Sequence, residues 1–87
     1  MRPDTDRELR QILEDVLGLA QGLAASFTQD SGLFGELPEL DSMAVAGLLT
    51  EMEDRFGIVI DEDDVDGEIF ATYGNLLDFT LSKQAAN

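Results

Sequence analysis

The chain has 87 residues, 44% of them hydrophobic, with nineteen acidic and five basic side chains and a formal net charge of −14. That is one domain over residues 1–87, too small to enclose a deep catalytic cleft beside its own core. Such acidity repels phosphate backbones and argues against nucleic-acid partners; the absence of Cys and His removes disulfides, thiolate metal sites and the commonest general base.

The N-terminal residues Met1-Arg2-Pro3-Asp4 run straight into a charged helical pattern. No apolar stretch reaches membrane-spanning length, so the expectation is a cytoplasmic protein with no membrane insertion. Thr5-Asp6-Arg7-Glu8 fits a capping box. Leu9, Ile12, Leu13, Val16, Leu17 and Ala20 then recur at helical spacing. From Ser26 to Leu40 the periodicity fails. Thr28, Asp30, Ser31, Gly32, Gly35 and Pro38 are turn formers, and Phe27, Leu33, Phe34 and Leu37 are expected to pin this long loop across the core.

A second helix is expected from Asp41 or Ser42, with Asp41 as its N-cap. Val45, Leu48, Leu49, Met52 and Phe56 form its apolar stripe, and Gly57 suits the left-handed residue after it. Ile58-Val59-Ile60 has no partner strand and reads as an extended connector. Asp61 to Asp66 suggests one short helical turn, capped by Asp61 and stopped by Gly67. Thr72 caps a last helix with Tyr73, Leu76, Leu77 and Leu81 inward, and the tail from Lys83 to Asn87 is expected to fray. The fold class is all-α: three main helices and one short helix, with a long loop between the first two.

Ser42 stands at a helix start, where unpaired N–H groups and a partial positive charge favour an attached phosphate. Met43 beside it offers an adaptable apolar contact. Asp and Ser are also ordinary helix-start residues, so the pair alone is equally a simple cap. A hydrolytic role is disfavoured: the chain has no His, Lys83 near the C-terminal end is its only Lys, and Ser42 lacks the G-x-S-x-G turn. If Ser42 is used, another enzyme must modify it.

Leu37-Pro38-Glu39-Leu40-Asp41-Ser42-Met43, the run to Glu53-Asp54-Arg55-Phe56-Gly57-Ile58, then Ile60 and Thr72-Tyr73-Gly74-Asn75-Leu76-Leu77-Asp78-Phe79 together resemble acyl carrier proteins. The resemblance implies a small carrier-like bundle, monomeric and non-enzymatic, with 4′-phosphopantetheine on Ser42, beside Asp41. It implies acyl or aminoacyl thioesters as cargo and a role in lipid metabolism. The partners implied are a phosphopantetheinyl transferase, a loading ligase or synthase, and accepting enzymes with basic patches. Val45, Leu49, Met52, Ile60, Ile69 and Phe70 are candidates to line an acyl pocket, though each serves equally as core. Met43, Val45, Ala46, Glu51, Glu53 and Asp54 are candidates for partner docking.

Two departures stand out. Ala44, Val45, Ala46 and Gly47 are uncharged where many fatty-acid carriers have acids. Gly47 lowers helix stability by about 1 kcal/mol against Ala, so close approach of a partner or a neighbouring helix is a reason to keep it. The stretch from Phe27 to Val45 resembles a narrower subgroup, discrete carriers associated with bacterial exosortase and exopolysaccharide loci. Two alternatives compete: an acidic interaction module without a prosthetic group, and weak calcium binding. For the latter, Glu62, Asp64, Asp66, Gly67 and Ile69 follow an EF-hand spacing that Tyr73 breaks at the twelfth position.

Overall fold

The computed structural model describes residues 3–86, with the side chains of Pro3, Glu62 and Ala86 outside that description. Three α-helices form the body: α1 (Pro3–Leu17), α2 (Ser42–Phe56) and α3 (Tyr73–Ala86). Single 3₁₀ turns at Ala24–Ser26, Glu62–Asp64 and Gly67–Phe70 lie in the connections. The expected short helix is thus two separate turns. At the first of them the Asp64 carboxylate accepts from the Asp61 N–H at 3.1 Å. Gly67 opens the second turn rather than ending the first, because Asp66 caps it by accepting from the N–H groups of Glu68 and Ile69.

The core is built from one stripe of each helix. Leu9, Ile12 and Leu13 of α1, Leu48 and Met52 of α2, and Tyr73 and Leu76 of α3 are essentially inaccessible. Leu33 and Leu40 from the first connection and Phe70 from the second close the same cluster. Thr80 is buried as well, its hydroxyl donating to the Leu76 carbonyl at 2.8 Å one turn back. That internal bond lets a polar residue occupy an apolar face.

Helix α1 begins before the capping box expected at Thr5. Thr5 is buried inside the first turn, and its Oγ1 donates to Gln84 Oε1 of α3 at 2.8 Å. The tertiary partner has taken the side chain that a cap would use. Gly18, with φ of 68°, ends α1, so Ala20 falls outside it and is exposed. Helix α3 keeps its geometry to Ala86, with Lys83 paired to Asp64 and Gln84 tied to Thr5. Of the tail expected to fray, Asn87 lies outside the described residues, as do Met1 and Arg2 at the other end.

The other caps follow the sequence. Asp41 Oδ1 accepts from the Ala44 N–H at 2.9 Å, Thr72 Oγ1 accepts from the Asn75 N–H at 3.1 Å, and Gly57 terminates α2 with φ of 64°. The connector after α2 alternates: Ile58 is buried, Val59 is exposed and Ile60 half-buried. The Ile60 N–H, lacking a strand partner, donates to Glu53 Oε2 at 2.8 Å.

The long first connection is stitched to the entrance of α3. Leu33 and Phe34 donate to the carbonyls of Ala71 and Phe70, while Tyr73 and Gly74 donate back to Ser31 and Gln29, at 2.8–3.2 Å. A Cβ at Gly74 would meet the Gln29 carbonyl at 2.8 Å, so this crossing requires glycine. Arg10 locks the same junction from α1. Its guanidinium lies 4.5 Å from the centroid of the Tyr73 ring and donates to the Ala24 and Phe27 carbonyls at 2.6 and 2.9 Å. Asp6 accepts from both Arg10, at 3.0 Å, and the Tyr73 hydroxyl, at 2.5 Å.

Candidate functional site around Ser42

Ser42 is the first residue of α2 and is exposed. Asp41 has extended backbone, and its carboxylate takes the Ala44 N–H. The Val45 N–H already makes the first helical bond, to the Asp41 carbonyl at 2.9 Å. The remaining amide donors at this end belong to Ser42 and Met43, beside the serine hydroxyl. A phosphate ester attached at Ser42 would meet these N–H groups and the positive end of the helix dipole.

The chain has four serines. Ser26 Oγ donates to the Leu23 carbonyl at 2.6 Å, and Ser31 Oγ accepts from the Thr28 N–H at 2.8 Å. Both are turn serines occupied by their own backbone. Ser42 lines a cavity of about 350 Å³. Its walls come from three places: Phe34 of the first connection, Val45 of α2, and Val65, Asp66, Gly67 and Phe70 of the second. The lining is mainly apolar with a polar edge. A Cβ at Gly67 would meet no atom within 4 Å, so the missing side chain leaves space at this wall.

The six residues expected to line one acyl pocket belong to or pack against one core cluster, but they line different cavities. Val45 and Phe70 line the cavity beside Ser42. Leu49 and Ile60 line a neighbouring cavity of about 290 Å³, with Val65 lining both. Ile69 faces a third depression, against Asn75 and Phe79 of α3. Met52 is fully buried in the core. The residues that sequence reasoning missed are Phe34, Val65, Asp66 and Gly67. Phe34 was expected to pin the loop; instead Leu33 is fully buried and Phe34 is 54% exposed. Phe34 lies in a turn closed by the Glu36 and Leu37 N–H groups, which donate to the Leu33 carbonyl at 3.2 and 2.8 Å.

The docking candidates divide in a similar way. Met43 is 85% exposed, Ala46 is exposed, and Val45 turns half-buried into the cavity. At about 100° per residue, Glu51 lies on the opposite side of α2 from Ser42. It joins Glu8 and Asp15 of α1 around Arg55, at 3.0–3.4 Å. Those three carboxylates hold the Arg55 guanidinium above its ordinary pKa, Asp15 most strongly and against some desolvation. Glu53 is engaged by the Ile60 N–H, and Asp54 is exposed. Gly47 is not demanded by a neighbouring helix: a Cβ there would make an ordinary 3.7 Å contact with Val16.

Among the described residues no three acidic side chains converge as a metal site would require. The EF-hand spacing starts at Glu62, whose side chain lies outside the described residues. Its later members are used elsewhere: Asp64 pairs with Lys83, which holds the Asp64 carboxyl below its ordinary pKa, and Asp66 caps a 3₁₀ turn. No described helix is long and apolar enough to cross a membrane.

The residues present suit a phosphopantetheine arm. A serine hydroxyl is open to solvent at a helix N-terminus, and a mainly apolar cavity begins at the same residue. When bound, the group supplies a terminal thiol that forms thioesters. Residues 7–80 match the family model described as phosphopantetheine attachment site. The fold is similar to the solution structure of a holo acyl carrier protein from Nitrosomonas europaea, with a TM-score of 0.84 and 36% identity. That match covers 97% of this chain and 99% of the other. No curated protein sequence matches the chain. Acyl carrier domains work with a phosphopantetheinyl transferase and acyl-handling enzymes. The chain belongs to this phosphopantetheine-attachment family: it is a carrier protein bearing covalent 4′-phosphopantetheine, and not itself a catalyst.

Proposed function

We propose that Ser42 is the attachment residue and that the loaded arm shuttles thioester-bound acyl or aminoacyl groups between partner enzymes. The observation that carries this reading is the exposed Ser42 hydroxyl at the capped start of α2, on the rim of a mainly apolar cavity. The serine is passive. The chain has no His, and its one Lys, Lys83, is held by Asp64. The transferase must therefore take the Ser42 proton as Oγ displaces adenosine 3′,5′-bisphosphate from coenzyme A. One P–O bond forms and the pyrophosphate P–O bond breaks.

Partners dock on the Ser42 side of α2, at Met43 and Ala46, an uncharged patch in a chain of net charge −14. Asp54 and the rim of Glu53 add charge farther along. Glu51 contributes less than its sequence position suggested, being drawn toward α1 by Arg55. This neutral start to the docking face suits the resemblance to the exosortase-associated subgroup better than housekeeping fatty-acid synthesis. The carrier acts as a cytoplasmic monomer.

Incubation with coenzyme A and a broad phosphopantetheinyl transferase, followed by intact mass, tests the attachment. Wild type gains one phosphopantetheine and Ser42→Ala gains none. Loading of the Ala variant, or no loading of wild type, removes the proposal.

A further inference from the structure

Phe34 is an exposed aromatic on an anchored stretch of backbone. Its N–H donates to the Phe70 carbonyl at 2.9 Å, and the Leu33 N–H donates to the Ala71 carbonyl at 3.2 Å. Leu33 is sunk in the core on one side, and Gly35, with φ of 92°, turns the chain away on the other. The residue is nevertheless 54% exposed. Leaving so large an apolar side chain in water forgoes burial that stabilises other core aromatics. What the ring does instead is form a wall of the cavity that Ser42 also lines.

Resting on the attachment of the arm at Ser42, we propose that Phe34 is the outer wall of a cradle for the pantoyl segment of that arm. The first apolar group met on leaving the phosphate is the pair of pantoyl methyls. From Ser42 these enter a space with Phe34 on one side and Val45, Val65 and Phe70 on the others. Gly67 contributes to the same wall, and a Cβ there would meet no protein atom within 4 Å. The one carboxylate of the lining, Asp66, is engaged by the Glu68 and Ile69 N–H groups at 2.9 and 3.3 Å. Phe34 is a positioning residue. It biases the arm toward a docked state along the second connection and away from free extension in solvent.

The test uses the holo protein, with loading confirmed by intact mass, and reads the two pantoyl methyl signals by proton NMR. The cradle predicts methyls shifted upfield from free coenzyme A, with cross-relaxation to the Phe34 ring protons. Phe34→Leu keeps the wall apolar but removes the ring, and loses the displacement. Gly67→Val adds bulk at this wall and loses it also, while Val59→Ala, at an exposed connector position, retains it. Methyl signals coincident with coenzyme A in the loaded wild type overturn the cradle and leave the attachment standing. So does full displacement in either Phe34→Leu or Gly67→Val. A wild type that takes no phosphopantetheine overturns the attachment, and the cradle with it.

Discussion

The two faces of the first connection differ in how tightly they are bound. At Arg10, Asp6 and Tyr73 the loop is held by a dense set of bonds from α1 and α3, all partly or fully desolvated. At Phe34 and Ser42 the same connection meets α2 across an open cavity, with exposed side chains on its rim. One face fixes the loop; the other leaves room for something the chain does not itself provide. With the arm on Ser42, as proposed, a carrier needs both, because the arm would be presented in a defined place only if the loop beside it is anchored.

The largest effect is expected at the anchored face. Arg10→Ala removes the donor to two loop carbonyls and to Asp6, and uncovers the Tyr73 ring. A loss of about 2–4 kcal/mol is expected for breaking such a partly buried charged network, read as a lower midpoint in urea unfolding. Loss below about 1 kcal/mol would mean that the loop is held by its backbone bonds to α3 alone.

Tyr73→Phe is expected to lose about 1.5–3 kcal/mol, the magnitude of a hydrogen bond to a charged acceptor, and to change the pH dependence. Burial raises the Asp6 carboxyl, but the Tyr73 hydroxyl and Arg10 together outweigh it and hold its pKa below 3.8. The unfolded chain then binds more protons than the folded one around that value. This stability is complete above pH 3.8 and is lost as pH falls through the lowered folded value. The Tyr73 hydroxyl is raised, first by burial and then by its bond to Asp6. Its contribution is present below pH 10 and is lost as pH rises through the folded value. Tyr73→Phe should flatten the alkaline limb and weaken the acid one relative to wild type. Parallel curves would refute the coupling.

Helix α2 should show the opposite behaviour. Gly47 has no close neighbour that excludes a Cβ, so Gly47→Ala is expected to stabilise by up to about 1 kcal/mol. If the same variant slows transfer to a partner enzyme, Gly47 serves the docking face. A smaller effect is expected from Asp54→Asn, about a twofold slower association with a basic partner at low salt, vanishing at high salt. Glu51→Gln should slow it less, since Arg55 already takes that carboxylate.

The sequence made most of the bundle legible, because its helices obey local rules. Apolar periodicity located all three, and Asp41, Thr72 and Gly57 cap as their residue types suggest. Local rules failed where a distant partner intervened. Thr5 was drawn to Gln84, Asp64 to Lys83, and Glu51 to a cluster with α1. That Ser42 opens α2 was legible from Asp41 and Pro38 just before it. The cavity was not, because its walls come from residues 34, 42–45 and 65–70, which only the packed fold brings together.

The most direct test of the division between anchor and site is where the arm attaches. Wild-type protein loaded from coenzyme A should be digested and its serine-containing peptides sequenced by tandem mass spectrometry. Phosphopantetheine on Ser42, with Ser26, Ser31 and Ser82 unmodified, is the result the account predicts. Modification at any of those three instead would place the function away from the start of α2 and contradict it.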